Sequence, residues 1–145
     1  MRRFITVSVI VLMLVGIGLA FVLPYLKMGF ASSAYYTEQD RREYEYYTPE
    51  LLKKMPRISN DYKFEFGNVS GQQAEVFTVR YQGTSETRNI HQYLVSAGYS
   101  QQSQCDVEAE CWRSHNSTDI VTVIKYTSPD SIVVQIYRSP YNETL

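Results

Sequence analysis

The sequence predicts an α+β protein with an N-terminal transmembrane helix, a short stalk and a small two-layer domain held by one disulfide. Three observations support this fold class. A run of twenty uncharged residues lies near the N-terminus, several later segments alternate apolar and polar residues, and one segment among them has helical periodicity. We expect the domain elements in the order β-β-α-β-β-β. Short links between consecutive strands predict an antiparallel sheet with the one helix packed on a face.

The apolar run covers residues 4–23 and follows the basic pair Arg2-Arg3. Twenty helical residues rise about 30 Å, which is the thickness of the hydrocarbon core of a bilayer. We therefore interpret residues 1–3 as a cytoplasmic basic region and residues 4–26 as an uncleaved signal-anchor. A cleaved signal peptide is the alternative, with cleavage after Ala31 or Ala34, but its apolar core is usually only about 7–15 residues long.

The charges around the span predict its orientation. Arg2 and Arg3 precede it and only Lys27 follows directly, so the positive-inside rule places the N-terminus in the cytoplasm. Without these three residues, 11 basic residues remain against 15 acidic ones, a net charge of −4 for residues 28–145. That sign disfavours nucleic acid as a partner. We expect a single-pass protein of the bacterial inner membrane with a periplasmic domain; a eukaryotic type II membrane protein, or a protein secreted after cleavage, is the alternative.

Residues 27–56 are polar and rich in tyrosine, which predicts a stalk between membrane and domain. Thr48-Pro49-Glu50 is typical of a helix start, with a capping threonine and a proline in the first helical position. We therefore expect a short helix at the end of the stalk.

The folded domain is expected over residues 57–140, with residues 141–145 as a tail. Alternating apolar residues predict a hairpin of strands 62–66 and 74–82. Thr84 or Ser85 is expected to begin a helix that runs to Ala97.

The rest of the domain follows from periodicity and turn residues. Ile90 and Leu94 belong to the apolar stripe of the helix, and Gly98 is expected to end it. Further strands are predicted at 111–114, 119–126 and 131–138, and the last two are separated by a Thr-Ser-Pro-Asp turn.

Cys105 and Cys111 are the only cysteines in the chain, and they are separated by five residues. Zinc sites and thioredoxin-like redox motifs use a C-x2-C spacing instead, and the two histidines fall on different predicted elements. We therefore expect no metal and no cofactor. An even number of cysteines outside the cytoplasm predicts a disulfide, which closes a short loop and stabilises the folded domain by about 2–3 kcal/mol.

Three acids lie within the loop that this disulfide would close, and a tryptophan follows it at once. Asp106, Glu108, Glu110 and Trp112 are therefore the candidate partner-binding residues. A rigid acidic rim suits a basic partner. Trp112 is expected to pack the disulfide into the core or to cover its edge. His91 is expected at the surface.

The sequence contains no nucleophile elbow, no phosphate-binding loop and no dinucleotide fingerprint. We therefore expect a binding or accessory protein of the cell envelope rather than an enzyme. One specific form is an anchored immunity or inhibitor protein. A small envelope hydrolase with unassigned carboxylates and a structural subunit of a membrane complex are the alternatives. Asn68, Asn116 and Asn142 begin N-x-[ST] sequons, which would be glycan sites in a eukaryotic protein.

Overall fold

The computed structural model describes residues 1–145 and divides them into two compact units, residues 1–31 and residues 32–145. The first unit is one α-helix, α1 (Arg2–Phe30), of 29 residues. This helix is long and apolar enough to cross a membrane. It begins before and ends after the predicted span of residues 4–26, and it continues through Pro24.

The second unit contains a seven-stranded sheet in which every neighbouring pair of strands is antiparallel. The strand order is β1-β2-β3-β7-β6-β5-β4. The strands are β1 (Ser33–Tyr36), β2 (Tyr62–Val69), β3 (Ala74–Gln82), β4 (Tyr99–Gln101), β5 (Glu110–Ser114), β6 (Ser117–Tyr126) and β7 (Ser131–Arg138).

The α+β class and the antiparallel sheet are confirmed, and the predicted order of elements is matched in part. Three helices of the second unit, α2 (Arg41–Tyr47), α3 (Glu50–Lys53) and α4 (Arg88–Ser96), replace the single packed helix of the prediction and the short helix of the stalk. Strands β1 and β4 were not predicted at all. They have only four and three residues, too few for an alternating pattern to stand out.

Residues 32–56, predicted as part of a stalk, belong to the folded unit. Strand β1 pairs with β2, and Tyr36, Tyr44 and Tyr47 are each less than 10% exposed. The ring of Tyr36 stacks on Phe64 with centroids 5.7 Å apart. The polar, tyrosine-rich composition led to the prediction of a stalk. Tyrosine rings nevertheless supply apolar area for a core, provided that each buried hydroxyl group has a hydrogen-bond partner.

The buried tyrosine of β1 obtains such a partner from the segment that follows α2. The hydroxyl groups of Tyr36 and Thr48 are hydrogen-bonded at 2.8 Å, and burial raises the pKa of Tyr36 to about 12. Thr48 therefore does not cap α3. The helix begins at Glu50, with Pro49 in the capping position.

Arg57 fastens this segment to the sheet. Its guanidinium group donates hydrogen bonds to the carbonyl oxygens of Leu52, Lys53 and Met55, at the end of α3. It also donates to the Tyr44 hydroxyl at 3.0 Å and lies over the ring of Phe64, 5.4 Å from the centroid. Because the last carbonyls of a helix have no partners within it, a cation at this position stabilises the helix end.

One face of the sheet forms the core. Phe64, Val79, Val134 and Val123 face one another across β2, β3, β7 and β6, and each is at most 3% exposed. Helix α4 buries the predicted stripe residues Ile90 and Leu94. It begins at Arg88 rather than near Thr84, because residues 84–87 form a loop. Gly98, at φ +88°, follows the helix end as predicted.

Helices α2 and α4 contact the core face, at Phe64 and Trp112. The opposite face of the sheet carries polar residues at its centre. Glu65, Thr78, Gln135 and Thr122 are aligned there across β2, β3, β7 and β6, because neighbouring residues of a strand point to opposite faces. We call this the open face. The segment between β4 and β5 reaches its β6 side, and the candidate site lies there.

Candidate functional site

The segment between β4 and β5 is a loop closed by the disulfide Cys105–Cys111, which confirms the predicted bond. The Cα atoms of the two cysteines are 5.5 Å apart. Two backbone hydrogen bonds hold the loop further, from the amide of Gln102 to the Cys111 carbonyl at 2.7 Å and from the amide of Ala109 to the Val107 carbonyl at 2.8 Å. The covalent bond and these hydrogen bonds fix the position of the loop relative to β5.

A groove of about 620 Å³ lies between this loop and the open face of the sheet. We call it the loop groove. Its floor comes from β3, β7 and β6, and its wall comes from the disulfide loop. The lining residues are Gln72, Val76, Asp106, Val107, Cys111, Ile120, Thr122, Ile124, Gln135 and Tyr137.

Four of the ten lining residues are aliphatic, and the others are uncharged polar residues, the disulfide-bonded Cys111 and Asp106. Ile120 and Ile124 stand two positions to either side of Thr122 on β6, and Val76 contributes from β3. At one side the Tyr137 hydroxyl donates a hydrogen bond to the side-chain oxygen of Gln72 at 3.0 Å. A surface of this kind binds apolar side chains and orients them with a small number of hydrogen bonds.

Asp106 is the only charged residue in the lining. Asp106 and Glu108 are exposed and form no salt bridge in the structure. On the β2 side of the open face, by contrast, Arg80 and Glu65 approach each other at 3.9 Å. The wall of the loop groove therefore carries negative charge that no basic side chain of the protein neutralises.

The structure places the other two candidate partner-binding residues elsewhere. Glu110 lies on the helix-covered side of β5, where its carboxylate contacts His91 Nε2 of α4 at 2.5 Å. Trp112 is only 4% exposed, and its ring lies 5.3 Å from that of His91. Trp112 and Cys111 are neighbours in one strand and so point to opposite faces. The tryptophan packs against α4, and the expectation that it would cover the disulfide is wrong.

His91 is therefore half-buried rather than a free surface residue. The contact with the carboxylate of Glu110 fixes the orientation of its imidazole ring. The side chains of His91 and Glu110 are 31% and 36% exposed. No group of three histidine, cysteine, aspartate or glutamate side chains in the structure could hold a metal ion.

The three sequons differ in their surroundings. Asn68 and Asn116 are exposed, the second in the turn between β5 and β6. Asn142 is half-buried, and its amide nitrogen donates hydrogen bonds to the carbonyl oxygens of Thr118 and Tyr137. A glycan would replace one of the two N–H hydrogens of that nitrogen, which could then keep at most one of these hydrogen bonds.

The disulfide loop was predicted from the sequence, whereas the strand residues of the loop groove were not. A usable signal was present. Ile120, Val121, Val123 and Ile124 put aliphatic side chains on both faces of β6, whereas a strand with one solvated face alternates apolar with polar residues. A strand with aliphatic side chains on both faces indicates that its second face also contacts other apolar groups.

Comparisons of the chain with protein-family models, with curated proteins and with solved structures found no match.

Proposed function

We propose that this chain is a membrane-anchored binding protein, with α1 as the anchor and the loop groove as the surface that engages a protein partner. The observation that supports this proposal is the lining of the open face of the sheet. In a two-layer fold an antiparallel sheet can leave one face to solvent, and that face is then polar. Here it contains a groove with aliphatic side chains from two central strands and a crosslinked loop as its wall.

The proposed side of the membrane is the extracytoplasmic one. Two features support this orientation. Arg2 and Arg3 lie in the first turn of α1 while only Lys27 lies in its last turn, and the disulfide suits an oxidising compartment. In a bacterium that compartment is the periplasm, and an immunity or inhibitor protein is the specific form we propose.

A C-terminal alkaline phosphatase fusion tests the orientation, because this enzyme is active only where its own disulfides form. We expect the fusion to be active in cells. An inactive fusion, together with an active fusion of a cytoplasmic reporter at the same position, would contradict the proposed orientation.

Site-specific photocrosslinking tests the binding surface in the full-length, membrane-inserted protein. A photoactivatable phenylalanine analogue replaces Thr122 in the floor of the groove. The same analogue replaces the exposed Gln92 of α4, on the other side of the sheet, as the matched control. We expect a discrete protein adduct from position 122 and none from position 92. No adduct at position 122, or the same adduct at both positions, would overturn the proposed function.

A further inference from the structure

The shape and lining of the loop groove restrict what can occupy it. Its volume of about 620 Å³ lies within the range of ligand sites, about 300–1,000 Å³. It is open to solvent on one side, and its floor spans β3, β7 and β6. Adjacent strands are about 4.8 Å apart, so this floor is about 10 Å wide, close to the diameter of a helix with its side chains. A segment of polypeptide with several aliphatic side chains fits these dimensions.

The negative charge beside the groove favours a polypeptide segment with basic side chains. Asp106 stands in the wall, and Glu108 follows it in the same crosslinked loop, both exposed and both without a basic partner. The guanidinium group of Arg113, the basic residue nearest in sequence, donates a hydrogen bond to the Glu143 carbonyl oxygen. Opposite charge across an interface favours association, and like charge opposes it.

The disulfide loop also adds an apolar contact beside these carboxylates. The side chain of Val107, between the two acids, lines the groove and is 57% exposed. A loop held by a disulfide loses little conformational freedom on binding, so its contacts are preorganised.

We propose that the segment bound in the loop groove is an amphipathic peptide segment of the partner, with an aliphatic centre flanked by lysine or arginine. This inference rests on the proposed function and specifies the chemistry of its partner. The aliphatic side chains pack on Val76, Ile120 and Ile124. The flanking cations lie against Asp106 and Glu108 of the loop.

Two fluorescent peptides test the inference on the full chain in nanodiscs of zwitterionic phosphatidylcholine. Both have the same aliphatic centre. One is flanked by lysines and the other by glutamates. Fluorescence anisotropy, corrected with empty nanodiscs, is expected to show binding of the lysine peptide at least tenfold tighter than that of the glutamate peptide. Raising the salt concentration from about 0.05 M to about 0.5 M should weaken the binding of the lysine peptide, because salt screens the exposed charges.

A charge reversal with a matched control locates the effect. D106K should lower the affinity for the lysine peptide about threefold to tenfold. An exposed ion pair contributes modestly to binding, and the charge reversal adds repulsion. E86K makes the same change of charge at an exposed site before α4 and should leave the affinity within about twofold. Equal binding of both peptides, no binding of either, or equal effects of the two variants would overturn the inference.

These failures differ from failure of the proposed function. If position 122 crosslinks to a partner in cells and D106K leaves the yield of adduct unchanged, the binding surface stands and the basic character of its partner is wrong. If position 122 gives no adduct at all, the proposed function itself is overturned.

Discussion

Replacing Tyr36 by alanine tests whether the tyrosine-rich segment belongs to the folded unit. Tyr36 is 5% exposed, and its neighbour in β1, Tyr35, is 78% exposed. The two substitutions remove the same atoms from adjacent positions. A stalk would tolerate both, whereas the observed fold tolerates only the loss of Tyr35.

The expected magnitude follows from the surroundings of the ring. Tyr36 stacks between Phe64 and Tyr47, with centroids 5.7 Å and 5.8 Å away. Truncation of a buried aromatic side chain to alanine typically costs about 3–5 kcal/mol. The Thr48 hydroxyl, in a residue only 6% exposed, also loses its partner. We therefore expect Y36A to lower the free energy of unfolding by about 4 kcal/mol, and Y35A to change it by less than about 0.5 kcal/mol.

The assay is urea unfolding of the full chain in detergent micelles, followed by the fluorescence of Trp112, the only tryptophan. Trp112 lies in β5, five strands away from β1 in the sheet, so its signal reports whether the two ends unfold together. A shift of the Trp112 transition in Y36A but not in Y35A is expected. A loss below about 1 kcal/mol for Y36A, similar to that of Y35A, would refute the assignment of this segment to the core.

Three further outcomes are expected in the same assay. The double substitution C105S/C111S should lower the free energy of unfolding by about 2 kcal/mol, because it removes the constraint on a short loop; an unchanged transition would contradict this. Y81F should lower the free energy of unfolding by about 1 kcal/mol, because the buried Tyr81 hydroxyl interacts with the guanidinium group of Arg57; an unchanged or higher stability would contradict this contact. Burial raises the pKa of Tyr36 to about 12, and unfolded tyrosine ionises near 10. Its stabilising contribution is therefore complete below about pH 10 and is lost as the pH rises towards 12. Y36F should reduce this alkaline loss, and an identical pH profile for Y36F and the parent chain would contradict the assignment.

The local periodicity of apolar residues was enough to predict the larger elements of the fold. The hairpin of β2 and β3, the strands β6 and β7 and the buried stripe of α4 were all predicted near their observed positions. Each has eight or more residues, so its pattern of apolar side chains repeats several times. The tyrosine-rich segment could not be placed in this way. Its strand and helices are short, and their burial depends on Phe64 and Arg57, which follow later in the chain.

In the candidate site, too, some residues could be predicted from the sequence and others only from the tertiary structure. The spacing of Cys105 and Cys111 and the acids between them marked the loop from the sequence. Only the strand geometry separates Asp106, which lines the groove, from Glu110, which contacts His91. Only the sheet register aligns Val76 of β3 with Ile120 of β6, on either side of Tyr137 in β7.

The sequence by itself determined the apolar N-terminal helix, the α+β class and the disulfide, because each depends on composition, periodicity or spacing within a short stretch of chain. The tertiary structure decided which residues of the acidic loop face the groove, that the tyrosine-rich segment is part of the core, and that one sheet face stays open. These features depend on register and on contacts between residues far apart in the chain, which no local pattern specifies.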